Sequence, residues 1–381
     1  MNILVLAAFP DSIPAFRGDL LKALVAAGHH VRVAAPGLAG APETLRFLGS
    51  IGAEALDVPM HRTGTNPLAD LALLARLARL MRSLRPDAFL GYTAKPVIWG
   101  TLAAAMARVP RRYALITGLG YAFTGQRRGA VARLVGLLYR GALRFSHKVF
   151  FQNPDDEALF RGSGILPAYV PSVVVNGSGV DVVRFRPGAP CEGPASFLMI
   201  GRLLGDKGVR EYVEAARRVR RLRPEARFRL AGWIDSNPDA IAPAELEEWI
   251  ASGTVEFLGR LDDVRPAIAS ASVYVLPSYR EGTPRTVLEA MAMGRAIVTT
   301  DAPGCRQTVA HGENGFLVPV RSAQALAGAM LRFLDDPGLA ARMGARSRRI
   351  AEERYDVRKV NARMLAEMGF AGEPAVREAY V

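Results

Sequence analysis

Two glutamates, Glu281 and Glu289, stand with seven residues between them in the stretch 278–294, just after the apolar run Val273-Tyr274-Val275-Leu276. The run reads as a buried strand and the residues after Pro284 as a helix. Glu281 then falls in the loop at the helix N-terminus, where free backbone N–H groups and the helix dipole favour an anion. Glu289 falls about two helical turns further on. A second cluster, Gly201-Arg202-Leu203-Leu204-Gly205-Asp206-Lys207-Gly208, directly follows the apolar run 196–200. Its glycines permit close backbone approach, and Arg202 and Lys207 bring two cations to a strand end. A cradle for anions flanked by carboxylates that accept from hydroxyls suits a sugar joined to a diphosphate. As the bond to such a leaving group breaks, negative charge builds on the phosphate, and fixed cations stabilise that state more than the ground state.

These groups need rigid elements to hold them. Short runs rich in Val, Ile and Phe alternate with longer amphipathic stretches along the whole chain, a rhythm that predicts parallel sheets with crossover helices. In the first half the strands fall at 3–7, 31–34, 53–58, 88–91, 113–116, 148–151 and 173–175, with helices over 68–84, 97–107 and 130–145. A Pro/Gly-punctuated segment at 184–190 reads as a linker. The rhythm restarts with strands at 196–200, 228–231, 255–258, 273–276, 296–299 and 316–318. This gives an N-terminal Rossmann-like domain at 1–187, a C-terminal one at 188–355, and a final helical segment, 356–381, that returns to the first domain. In open parallel sheets, ligands bind beyond the carboxyl ends of the strands.

The composition, 381 residues with 50% hydrophobic and 22% charged, is that of a globular protein with two cores. Cys191 and Cys305 have no metal or redox spacing and fit a reducing cytoplasm. The first residues read as a strand, not a signal peptide, and no run of about eighteen apolar residues offers a membrane span. The five histidines do not pair at metal-ligand spacing, and no nucleophilic serine motif is present. A net charge of +13 is compatible with solvated arginines or with an acidic partner. No helix-turn-helix, RNA-binding aromatic motif or zinc finger accompanies it, which argues against nucleic acid.

Taken with the segments 176–185 and Phe257-Leu258-Gly259, these motifs in this order resemble the retaining glycosyltransferases of family 4. The resemblance implies the α/β GT-B fold, two Rossmann-like domains with facing parallel sheets and an interdomain cleft. It implies catalytic roles for Arg202 and Lys207 on the diphosphate and for Glu281 on the donor sugar. Donor contacts are implied for Gly201, for Leu258, Gly259 and Arg260 at the nucleobase, and for backbone at Gly282, Thr283, Pro284 and Arg285. Thr286 and Val287 would cap the helix end, and Glu289 would hold the ribose. The family often has an aromatic residue where Thr283 stands, so that sugar contact departs from the pattern. No Asp-x-Asp motif stands where a metal-held diphosphate would need one, and the expectation is a UDP-sugar donor bound without metal or other cofactor.

In the first half, Leu115-Ile116-Thr117-Gly118-Leu119-Gly120-Tyr121 follows a strand and brings a hydroxyl, glycines and an aromatic ring to its end. Many family members have a histidine near Thr117; this chain does not. With the segments around Phe9, Arg17 and Lys95, it resembles a narrower group that elongates undecaprenyl-diphosphate-linked saccharides for O-antigen or capsule. Acceptor contacts are then implied for Arg17, Lys95, Thr117, Gly118 and Tyr121. The same resemblance implies a peripheral protein on the inner face of the cytoplasmic membrane. Basic stretches at 71–82 and 126–140 fit an anionic membrane surface or simple core packing. A UDP-sugar 2-epimerase on the same fold and a non-catalytic basic membrane-binding module remain the competing readings.

Overall fold

The computed structural model describes residues 1–60, 66–118, 130–188, 195–235 and 237–370. It forms two compact units, Met1–Ser178 joined by the described residues from Arg358 on, and Gly179–Val357.

The first unit is built on seven strands: β1 Asn2–Leu6, β2 His30–Ala35, β3 Glu54–Asp57, β4 Ala88–Tyr92, β5 Arg111–Ile116, β6 Lys148–Phe151 and β7 Ser172–Val174. All pairings are parallel, in the order β3-β2-β1-β4-β5-β6-β7. Because both faces are covered by helices, the strands are apolar on both sides, which is why they read as continuous runs. On one face Leu73, Leu77 and Met81 of helix Pro67–Leu84 pack on Leu4, Leu6 and Phe89. On the same face Tyr139, Ala142 and Leu143 of helix Ala130–Leu143 pack on Ile116 and Phe151. The opposite face takes helix Gly18–Ala26 and the last helix, Val357–Glu367, whose Met364 and Leu365 join Ile3, Val5, Leu115 and Phe150 in one core. Tyr113 Oη donates to the Met368 carbonyl at 2.6 Å, and Lys148 Nζ reaches Glu367 Oε2 at 2.6 Å.

The second unit carries β8 Ser196–Arg202, β9 Arg227–Trp233, β10 Glu256–Phe257, β11 Val273–Leu276, β12 Ala296–Thr300 and β13 Gly315–Val318. The sheet is parallel in the order β10-β9-β8-β11-β12-β13, so its order reverses between β8 and β11. That switch point is where an open α/β sheet leaves a crevice for a ligand. Each of its two strands ends in one of the motifs singled out from the sequence.

The domain boundary at 187 is corrected. Val180, Val182 and Phe185 are buried in the second core, and Val180 N donates to Tyr355 O at 2.8 Å while Val357 N returns to Val180 O at 3.0 Å. Pro187 and Gly188 mark the end of that stretch, but the apolar side chains before them decide where it packs. Among the described residues, no helix is long and apolar enough to cross a membrane.

Candidate active site

β8 ends at Arg202, and the chain then tightens into a 3-10 turn, Gly205–Lys207, before helix Val209–Leu222. Gly208 joins turn to helix at φ +71°, and a Cβ there would lie 2.2 Å from the Pro277 carbonyl oxygen. Only glycine fits both the left-handed backbone and that approach. The turn is thereby pressed against the loop that leaves β11. The Tyr279 N–H donates to Asp206 O at 2.9 Å, and Tyr279 Oη donates to Glu211 Oε1 at 2.6 Å. Burial, then the neighbouring Glu211 carboxylate, pushes the Tyr279 phenol up to about 12.

Across this joint Lys207 Nζ donates to Glu281 Oε1, which also accepts from Ser278 Oγ at 2.8 Å. The two charged side chains are 17% and 15% exposed, so the pair faces its surroundings through a narrow window. Glu281 is held from behind as well. Its N–H donates to Pro303 O at 2.9 Å, and Gly304, at φ +80°, lies so close that a Cβ would meet Glu281 O at 2.2 Å. The side chain of buried Cys305 lies behind the same loop, its thiol pushed up to about 12 chiefly by burial.

Arg202 is paired too. Its Nη1 donates to Asp235 Oδ2 at 2.8 Å. Asp235 lies beyond the end of β9, whose Trp233 is in register with Arg202. The loop from Asp235 onward braces the turn after β8: Asp239 Oδ2 accepts from Asp206 N at 2.7 Å, and Asp239 O accepts from Gly205 N at 2.8 Å. Asp206 itself has its carboxyl raised above the ordinary range, by burial first, with Lys207 opposing.

Helix Arg285–Ala292 starts from Pro284, with Gly282 and Thr283 leading into it. Arg285 Nε donates to Glu289 Oε1 at 2.8 Å, and the Glu289 side chain is 6% exposed. Burial raises the Glu289 carboxyl against the pull of Arg285. Thr286 and Val287, expected to cap the helix end, have side chains that serve the core. Thr286 hydrogen-bonds the buried Tyr274 phenol, and Val287 is fully buried with its N–H donating to Pro284 O at 3.1 Å. Both positions point inward from the helix, so they fix its start from the core side.

Gly201, Leu258, Gly259 and Arg260 gather at the neighbouring strand ends. Gly232 lies opposite Gly201 in register, and its N–H donates to Gly259 O at 2.8 Å. Leu258 N donates to Leu230 O at 2.8 Å, and the Arg260 guanidinium lies 4.9 Å from the centre of the Trp233 ring. A planar cation on an exposed indole beside open backbone is a surface on which a base can rest.

In the first unit Thr117 and Gly118 follow β5, with Gly118 at φ +123°. Tyr121 lies outside the described residues. Arg17, expected as an acceptor contact, is buried 5.3 Å from the centre of the Tyr92 ring, and its Nη1 donates to Ser178 Oγ at 3.3 Å. Tyr92 Oη in turn shares a 2.9 Å hydrogen bond with Ser12 Oγ. With the Gln152 amide oriented to satisfy both its ends, its nitrogen donates to Thr117 O and its oxygen accepts from Arg17 Nη2, each at 3.3 Å. Arg17 therefore sets the backbone of the Thr117 segment through Gln152. Lys95 is likewise engaged, 2.8 Å from Asp70 Oδ1 with both side chains largely buried. Thr93, just past β4, has φ +68°, a strained conformation for a β-branched residue.

The residues missed from sequence are Ser278, Gly304, Asp235, Asp239 and Gln152. Asp235 and Asp239 had a faint signal, two carboxylates shortly after a predicted strand, but only the sheet order shows which cations they serve. Among the described residues no three His, Cys, Asp or Glu side chains gather as a metal-binding group.

Comparison with known proteins gives the arrangement its context. A family model described as "Glycosyl transferase 4-like domain" matches residues 15–177, and one described as "Glycosyl transferases group 1" matches residues 194–336. The chain is 29% identical over 354 residues to the N,N'-diacetylbacillosaminyl-diphospho-undecaprenol alpha-1,3-N-acetylgalactosaminyltransferase of Campylobacter jejuni, covering 89% of this chain and 91% of that protein. Among solved structures it resembles Anabaena Alr3699/HepE in complex with UDP, with a TM-score of 0.78 at 20% identity over 97% of this chain and 100% of that one. It also resembles sucrose-phosphate synthase from Thermosynechococcus elongatus, with a TM-score of 0.77 at 19% identity over 97% and 99%. The shared architecture is the GT-B fold.

Proposed function

Because the chain belongs to the group 1 glycosyl transferases, we propose that it moves a hexose or N-acetylhexosamine from a UDP-sugar to a saccharide carried on undecaprenyl diphosphate, retaining configuration at the anomeric carbon. The observation that carries this reading is the joint between Lys207 and Glu281 at the switch point of the second sheet, with Arg202 on the adjoining strand end. It offers a cation for phosphate directly beside a carboxylate for sugar hydroxyls. The lipid-linked acceptor is supported by the name of the Campylobacter relative, which the chain matches nearly end to end. UDP as the leaving group is supported by its presence on the same fold in the Anabaena structure.

In the proposed reaction the bond between the anomeric carbon and the phosphate oxygen breaks, and its electron pair goes to the diphosphate. Lys207 and Arg202 offset that charge, helped by the N-terminus of helix Arg285–Ala292. An acceptor hydroxyl forms the new bond from the same face and passes its proton to the departing phosphate oxygen. No side chain serves as nucleophile. Glu281 accepts from sugar hydroxyls and Glu289 from the ribose, the latter after Arg285 swings aside. With two lysine and arginine charges on the diphosphate, the donor is bound without an essential divalent cation.

The test is a screen of nucleotide sugars against undecaprenyl-diphosphate-linked saccharides, with the product's anomeric configuration read by NMR. An inverted centre overturns retention, and UDP release that needs no acceptor points to the epimerase chemistry instead. Transfer that vanishes on chelation and returns only with Mg²⁺ or Mn²⁺ overturns metal independence.

A further inference from the structure

Charge is distributed very unevenly along this chain. Residues 88–154 contain ten lysines and arginines and no aspartate or glutamate, against a net charge of +13 for the whole protein. Within this stretch, helix Ala130–Leu143 buries Tyr139, Ala142 and Leu143 and turns Arg133, Leu134, Leu137 and Arg140 outward, with exposed Arg144 just past its end. Leu134 is 50% exposed and Leu137 64%. Helix Pro67–Leu84, on the same face of the same sheet, repeats the pattern. Leu68 and Leu71 are 78% and 57% exposed, and Arg79 and Arg82 follow on the outer side. The single carboxylate of that helix, Asp70, is buried against Lys95.

The second unit pairs many of its arginines, although among the described residues Arg221 and Arg227 are exposed without an ion pair. On helix Val209–Leu222, Arg210, Arg217 and Arg218 each pair with a glutamate, at 2.7, 2.7 and 2.8 Å. Among the described residues, Arg133, Arg140, Arg144, Arg79 and Arg82 have no ion pair. A solvated surface is normally mixed in sign; a carboxylate-free face with leucines standing in water is not.

Position adds to composition. A crossover helix in a parallel sheet starts near the carboxyl end of the strand before it. Leu68 and Leu71 occupy the first turns of one such helix, Leu134 the second turn of the other, and Leu137 its middle. Leu68, Leu71 and Leu134 therefore lie toward the edge of the sheet where Thr117 and Gly118 end β5, and Leu137 continues the same outer face.

We propose that this outer helix face is a docking surface for an anionic lipid bilayer, the leucines entering the headgroup region and the arginines pairing with lipid phosphates. It rests on the reading that the acceptor is lipid-linked, and it names the side of the first unit that meets the membrane. An arginine near an anionic surface strengthens binding about fivefold, and the attraction is screened by salt.

The full chain, without donor or acceptor, is sedimented with phosphatidylcholine vesicles that contain or lack phosphatidylglycerol. Binding is expected only to the anionic vesicles and is lost at high salt. Arg133→Gln with Arg140→Gln weakens it about twentyfold, and Leu134→Ser with Leu137→Ser also weakens it. Arg221→Gln with Arg227→Gln, exposed positions on the second unit, removes the same charge and leaves binding within about twofold. Equal losses in the two arginine pairs, or no binding by the wild type, overturn the surface. Transfer to the lipid-linked acceptor in detergent micelles, measured in parallel, tests the underlying reading separately: transfer without vesicle binding rejects the surface alone, and vesicle binding without transfer rejects the acceptor alone.

Discussion

Lys207→Ala separates chemistry from folding because the structure gives different magnitudes for the two. The Lys207–Glu281 pair is neither solvent-exposed nor fully buried, at 17% and 15% side-chain exposure. Exposed pairs contribute up to about 1 kcal/mol, and breaking a fully buried one costs about 3–5 kcal/mol. Here Glu281 keeps the Ser278 hydroxyl at 2.8 Å, so the orphaned carboxylate retains a donor. A loss of about 1–2 kcal/mol follows, and for a unit of this size that lowers Tm by about 3–6 °C. Removing a fixed positive charge from a developing oxyanion typically costs 10²–10³ in kcat, about 3–4 kcal/mol. The assay is kcat at saturating nucleotide sugar, with Tm followed by calorimetry on the same preparation. The expected result is a kcat loss of at least about a hundredfold in a protein that is still folded at the assay temperature. A loss confined to KM shows that Lys207 binds ground and transition states alike, and would refute its assignment to the leaving group.

Other expectations follow from the neighbours of this pair. Asp235→Ala frees the Arg202 guanidinium from a carboxylate that a diphosphate must displace, and since that pair is only partly buried the donor KM should fall about fivefold with kcat changed less; an unchanged KM detaches Asp235 from the site. Gly208→Ala forces a Cβ to within 2.2 Å of Pro277 O at φ +71°, and should cost at least about 1–3 kcal/mol, read as a fall in Tm; a wild-type Tm would mean the turn can relax. Asp206 has its carboxyl raised by burial, so the ionised form costs stability in the folded state, a penalty present above the folded pKa and absent below the ordinary aspartate range. Asp206→Asn should therefore melt higher than wild type at neutral and alkaline pH, with the two curves meeting as the solution is acidified. A gap that stays constant with pH removes ionisation as its cause.

Which parts of this could be read in the sequence follows from how local each feature is. Val273, Tyr274, Val275 and Leu276 are all buried, so a central parallel strand announced itself as an unbroken apolar run. Glu281 and the helix after it sit within a dozen residues of that strand, and their relation needed no long-range knowledge. The brace from Asp235 and Asp239 was invisible because it depends on β9 lying beside β8. Gly304 meets Glu281 only because β12 lies beside β11. The burial of Arg17 is hidden in the sequence for the same reason. As a sequence position it is one cation near an aromatic, and its burial is decided by Tyr92, Gln152 and Ser178, which arrive from three other parts of the first unit.

The net charge also takes on a different meaning once partners are known. Read as a total, +13 could serve a diphosphate donor, an anionic lipid or nothing in particular. In the second unit three cations of the candidate donor site each have a carboxylate, Lys207 with Glu281, Arg202 with Asp235 and Arg285 with Glu289, while Arg260 lies on the Trp233 ring. Such a site is close to neutral before the donor arrives, and a diphosphate binds by exchanging partners, not by being drawn to bare charge. Long-range attraction then originates where arginines lack carboxylates, and the helix layer of the first unit gathers such arginines beside exposed leucines. Raising the salt concentration should for that reason weaken association with anionic vesicles far more steeply than it raises the donor KM. Equal salt sensitivity of the two would mean that the donor site is charged in its resting state, and the pairing seen there would not describe the protein in solution.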